Sequence, residues 1–61
     1  MKRSELLKIL IEHGCSFFAE GKRHEQWINP AGEKFPVPRH QGKEISTPTV
    51  QAIFKQAGIK R

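Results

Sequence analysis

Aspartate is absent from this chain, and its six acidic residues are all glutamates, scattered at Glu5, Glu12, Glu20, Glu25, Glu33 and Glu44. A nuclease that works through two metal ions needs carboxylates converging on one point, so this composition disfavours one. Cysteine occurs once, at Cys15, which rules out an intrachain disulfide and makes a reducing cytosol the natural setting. Together with the three histidines, Cys15 has no zinc-site spacing, so neither metal nor other cofactor is expected. No apolar run exceeds that of Ile9 to Ile11, far too short to span a bilayer, and no secretory apolar stretch follows Lys2-Arg3. A cytoplasmic protein without a membrane partner is therefore expected. Length is also scarce: 61 residues support one domain, 1–61, with one small core.

What the chain has instead is positive charge. Eleven Lys and Arg residues leave a formal net charge of +5, which points to a polyanionic partner. The segment from Met1 to Glu20 balances to zero, Gly21 to Ile45 carries +2, and Ser46 to Arg61 carries +3 with no acid at all. The excess thus gathers beyond the first third of the chain.

Leu6, Leu7, Leu10 and Ile11 form an apolar helical face, with Ser4 able to cap the helix and Gly14 placed to end it. A left-handed Gly14 would let Cys15 pack back on Leu10. A strand over Cys15 to Glu20 puts Phe17 and Phe18 on opposite faces, so one of them should enter the core, while an exposed Phe18 would be able to stack on a base. After a turn at Gly21, a strand from His24 to Asn29 places His24, Gln26 and Ile28 on one face and Glu25, Trp27 and Asn29 on the other, with Trp27 buried. Asn29-Pro30-Ala31-Gly32 is turn chemistry. In a third strand over Lys34 to Pro38, Phe35 and Val37 share a face. Pro36 and Pro38 remove two amide donors on the same side, so that side must be a free edge and the strand order 1-2-3. Arg39 to Ile45 reads as a polar connection, and Thr47-Pro48 as a helix cap followed by proline at the first helical position. Val50, Ile53, Phe54 and Ala57 then recur at helical spacing, and Gly58 closes the helix with Ile59 against Phe54.

The predicted order is α-β-β-β-α, an α+β fold with a three-stranded antiparallel sheet and two helices on one face. This is the double-stranded-RNA-binding-domain-like topology, and it leaves the face carrying His24 and Gln26 open to solvent. Pattern alone makes an exposed strand histidine more often inert than catalytic. His24, however, follows Gly21-Lys22-Arg23, where an imidazole that titrates near neutrality stands beside cations able to hold phosphate.

Several stretches together resemble the HicA toxin family of bacterial toxin-antitoxin modules, small mRNA interferases built on this fold. They are Ser4-Glu5-Leu6-Leu7-Lys8, His24-Glu25-Gln26-Trp27, Asn29-Pro30-Ala31-Gly32, Val37-Pro38-Arg39-His40 and Lys55-Gln56-Ala57-Gly58-Ile59. The resemblance implies that His24 is the catalytic residue. The family usually presents Gly-Ser-His there, and Lys22 and Arg23 stand in place of Gly-Ser. It also implies an mRNA substrate and a HicB-type antitoxin as protein partner, whose acidic face would match a basic toxin surface.

The leading expectation is a metal-independent endoribonuclease toxin that cleaves mRNA and blocks translation. His24 carries the chemistry, and Lys22, Arg23, Arg39 and His40 bind RNA. A non-catalytic RNA-binding module is the alternative, in which the same cations grip phosphate and His24 is incidental. A helix-turn-helix DNA binder fits the charge but not the order, because three strand-like segments separate the helices, so direct DNA binding is not expected.

Overall fold

The computed structural model describes residues 1–39 and 44–60. Five elements follow in order: α1 (Arg3–Glu12), β1 (Ser16–Glu20), β2 (His24–Ile28), β3 (Lys34–Pro38) and α2 (Thr47–Ala57). The strands form one antiparallel sheet in the order β1-β2-β3, as the two prolines of β3 require. Pro36 and Pro38 lie opposite Gln26 and His24. The Pro38 carbonyl accepts a bond from Arg3 Nε at 2.7 Å, a partner supplied by α1 and not by another strand.

α1 meets the rest of the molecule through Arg3, Leu6 and Leu10, the i, i+3, i+7 row of one helical face. This face is narrower than expected. Ile11 is 60 % exposed, while Leu7 and Ile9 pack partly against the core. The helix also starts earlier than a Ser4 cap would allow. Lys2 is its N-cap residue, Ser4 lies within the first turn, and no side chain caps the end. A side-chain cap contributes about 1 kcal/mol, less than the buried contacts that Arg3 gains by occupying the first helical position. At the other end Gly14 has φ 85° and the Cys15 amide donates to the Leu10 carbonyl at 2.9 Å, the expected glycine stop.

Trp27, Phe35 and Val37 bring the inner face of the sheet into the core, which Leu6, Leu10, Val50, Ile53, Phe54 and Ala57 complete from the helices. α2 ends as its sequence implies: Gly58 is left-handed and the Ile59 amide returns to the Phe54 carbonyl at 2.8 Å. Its start differs by one residue, with Ser46 as N-cap and Pro48 at the second helical position. Ile45, expected in a polar connection, is buried, and its amide donates to the Met1 carbonyl at 2.8 Å. Beside it the Met1 ammonium bonds Glu44 Oε2 at 2.8 Å, which holds that carboxyl below its usual range.

Neither Phe17 nor Phe18 is buried, against the expectation that one would be. Phe17 pairs with Trp27 and Ala19 with Gln26, so Phe18 is an extra residue in the ladder, a β-bulge. Phe17 keeps to the inner side, where its ring meets Trp27 edge-on at 6.3 Å, but β1 is an edge strand and half of that ring stays exposed. The Phe18 ring is covered by Lys34 Nζ at 4.1 Å from its centroid. Among the described residues no helix is long and apolar enough to cross a membrane.

Candidate active site

His24 is the first residue of β2 and is exposed. Strand alternation predicts its orientation: Glu25 and Trp27 turn inward, while His24 and Gln26 turn outward onto the face shared with Pro36 and Pro38. Backbone contacts hold it from the β1 side, where the Gly21 amide donates to the His24 carbonyl at 2.9 Å. That approach is close enough that a Cβ on Gly21 would collide with the same oxygen. Glycine at 21 is therefore a requirement of space, and the bond closes a tight turn over Lys22 and Arg23.

Lys22 and Arg23 are both exposed in this turn. Arg39, one residue beyond the register partner of His24, donates from Nη1 to the Gly21 carbonyl at 2.5 Å. The guanidinium carries five N–H donors, and this bond fixes it against the turn while its fork still offers further donors. Antiparallel topology brings the end of β1, the start of β2 and the end of β3 to one end of the sheet. Arg39, distant in sequence from the Lys22-Arg23-His24 stretch, is thereby brought to the same end of the sheet. His40 was assigned alongside them and lies outside the described residues.

Beneath this end is a support that sequence reasoning missed. Arg3 reaches from α1 and donates from Nη2 to Glu25 Oε1 at 2.5 Å and from Nε to the Pro38 carbonyl. Trp27 Nε1 donates to the same Glu25 oxygen at 3.2 Å. Glu25 is the chain neighbour of His24 and Pro38 is its cross-strand partner, so α1 clamps both sides of the His24 position from inside. One signal was readable: the parity that buries Trp27 also sends the Glu25 carboxylate inward, and a carboxylate there needs a cationic partner.

Other chemistry-bearing groups are remote or spent. Burial pushes the Cys15 thiol above its usual range, which suits a core residue and not a nucleophile. His13 caps α1 with Nδ1 2.9 Å from the Ile9 carbonyl. Among the described residues no three His, Cys, Asp or Glu side chains gather as metal ligands would.

The chain matches the family model of the HicA toxin of bacterial toxin-antitoxin systems over residues 3–59. A protein of Photorhabdus laumondii described as probable mRNA interferase HicA 2 is 39 % identical over 61 residues, covering 98 % of this chain and the whole of that protein. A chain in the crystal structure of the E. coli HicAB toxin-antitoxin complex superimposes with a TM-score of 0.78 at 35 % identity, covering 93 % of this chain and 96 % of that one. Matched by that model from the first residue of α1 to the second residue beyond α2, this α-β-β-β-α chain belongs to the HicA toxin family.

Proposed function

We propose that this chain is a metal-independent endoribonuclease toxin that cleaves mRNA in the cytoplasm and so stops translation, with His24 as its single catalytic side chain. One observation carries the reading: an exposed imidazole stands at the end of the sheet that also carries the exposed Lys22 and Arg23 and the Arg39 guanidinium anchored on their turn. The name of the Photorhabdus relative supports the activity. The similar E. coli chain belongs to a HicAB toxin-antitoxin complex, which supports a HicB-type antitoxin as the protein partner.

In the proposed reaction the ribose 2′-oxygen attacks the adjacent phosphorus while the 2′ proton passes to the His24 imidazole. The bond from phosphorus to the 5′-oxygen breaks, and that oxygen takes a proton from the imidazolium just formed or from water. The products are a 2′,3′-cyclic phosphate and a 5′-hydroxyl. Lys22, Arg23 and Arg39 hold the phosphate and offset the charge on its oxygens as the pentavalent state forms. DNA lacks the attacking hydroxyl and is not cut. A single positioned proton carrier is worth on the order of 10² to 10⁴ in rate, which makes a slow nuclease. Slow cleavage of many messages is compatible with growth arrest.

Labelled RNA incubated with the protein in EDTA tests the reading. We expect cleavage in the chelator, no cleavage of the same oligonucleotide with 2′-deoxyribose throughout, and loss of activity in His24→Ala with folding and most RNA affinity retained. Undiminished cleavage by that variant would refute the role of His24. RNA bound but never cut by the unmodified chain would favour the non-catalytic RNA-binding module.

A further inference from the structure

α2 does not only cover the inner face of β3. It runs far enough along the proline-blocked edge that one side of the helix and the outer face of the sheet together line an open cleft of about 330 Å³. From the sheet the cleft is lined by His24, Pro36 and Pro38, and from the helix by Pro48, Thr49, Ala52, Ile53 and Gln56. The face expected to lie open beside His24 is therefore half-walled.

We propose that this cleft seats one nucleobase of the RNA next to the scissile phosphate, making α2 the base-reading element of the site. The proposal rests on the cleavage reading above for the position of the phosphate. Its volume falls at the small end of the range for sites that take small organic ligands, which suits a single ring system and not a folded partner's surface. Three pyrrolidine rings line it: Pro36 and Pro38 from the sheet and Pro48 from the helix offer rigid C–H surfaces to a planar π system. Ala52 leaves open the space that any longer side chain at that turn of the helix would fill, and buried Ile53 closes the floor.

Besides His24, two polar side chains of α2 stand among these apolar walls. Gln56 carries both an amide donor and an amide acceptor, the pair that reads a base edge, and the Thr49 hydroxyl, which shares a hydrogen bond with Ser46 Oγ at 2.9 Å, keeps a further lone pair for a ligand. The Gln56 backbone is itself fixed, because its carbonyl accepts from the Asn29 Nδ2 at 2.9 Å. His24 lines the cleft and directly follows the cationic turn, so the proposed nucleotide sets its phosphate at the turn and its base in the cleft. An anionic ligand with an apolar ring fits this neighbouring of charge and hydrocarbon.

The full chain, isotopically labelled, is titrated with the four nucleoside 3′-monophosphates and with ribose 5-phosphate as the baseless control. The amide resonances of Thr49 and Ala52 and the side-chain amide of Gln56 are followed by NMR. We expect at least one nucleotide to move the cleft signals, while ribose 5-phosphate moves only those of the Lys22 to His24 turn. Ala52→Leu, at an exposed helical position where leucine is well tolerated, should abolish the nucleotide-specific shifts, keep those of the turn, and raise KM for RNA on the order of tenfold with kcat little changed.

Identical shifts with and without a base, an Ala52→Leu protein indistinguishable from the parent, or cleft signals that move only when an antitoxin is added would each overturn the proposal. The titration needs no turnover, so the two readings fail separately. RNA cleavage without base-dependent shifts sinks the cleft alone, whereas base-dependent shifts in a protein that never cuts RNA sink the nuclease and leave the cleft standing.

Discussion

Replacing Arg3 by methionine should cost this protein a large part of its stability, although the change lies near one end of the chain and outside the apolar core. The Arg3 side chain is 10 % exposed and its partner Glu25 20 %. Its removal deprives Glu25 Oε1 of the donor at 2.5 Å, leaving only Trp27 Nε1 at 3.2 Å, and takes the side-chain partner from the Pro38 carbonyl. Breaking a buried ion pair by deleting one member costs about 3–5 kcal/mol. Water reaches the partly exposed carboxylate, so about 2–3 kcal/mol is the fitting range here. A chain of 61 residues holds roughly 3–9 kcal/mol in all. Thermal unfolding followed by circular dichroism should show a Tm lowered by about 10–20 °C. The penalty belongs to the stranded carboxylate and not to the missing guanidinium. Arg3→Met combined with Glu25→Leu should therefore recover most of the stability, since apolar replacement of a whole buried pair is often neutral. A single variant that melts within about 2 °C of the parent, or a double variant as unstable as the sum of its parts, would refute the reasoning.

Gly21→Ala introduces a Cβ into the His24 carbonyl oxygen, which is backbone and cannot swing aside. We expect about 1–3 kcal/mol of destabilisation and a fall in RNA cleavage larger than that of RNA binding, measured by urea unfolding and by single-turnover kinetics on the same samples. Retained activity would mean that the turn does not position the imidazole. For the cations, replacing Lys22, Arg23 or Arg39 by alanine one at a time should weaken RNA binding. The slope of log affinity against log salt should fall by about 0.7 for each phosphate of single-stranded RNA that is no longer neutralised. Arg39→Ala should also loosen the turn, because its Nη1 is bound to the Gly21 carbonyl. A slope unchanged in all three variants would place the phosphate elsewhere.

Local patterning was enough for much of the fold. Alternation in β2 and β3 identified Trp27, Phe35 and Val37 as core, the two prolines made β3 an edge and thereby set the strand order, and the glycines ended both helices where expected. Each of these follows from a residue's own backbone limits or from a period of two or 3.6, so a neighbour in sequence suffices to read it. The misreadings at Ser4, Ile11, Phe17, Phe18 and Ile45 share a different origin. Whether Phe18 bulges from the ladder, or Ile45 is drawn under the first residues of the chain, depends on a partner strand or helix distant in sequence.

The candidate site divides in the same way. Residue chemistry singled out His24 and the cations beside it as candidates, and only the resemblance to a known family turned the histidine into a proposed catalyst, because imidazole chemistry and fixed positive charge are properties of the residues themselves but their use is not. Only the tertiary structure brought Arg39 onto the turn, set the Arg3 to Glu25 pair beneath His24, and laid Pro48, Thr49, Ala52 and Gln56 beside it as the far wall of a cleft. Arg3 and Glu25 stand 22 residues apart in the chain, and Asn29 and Gln56 stand 27 apart. No local period encodes a contact at that separation, which depends on how the two apolar helix faces share a single small core.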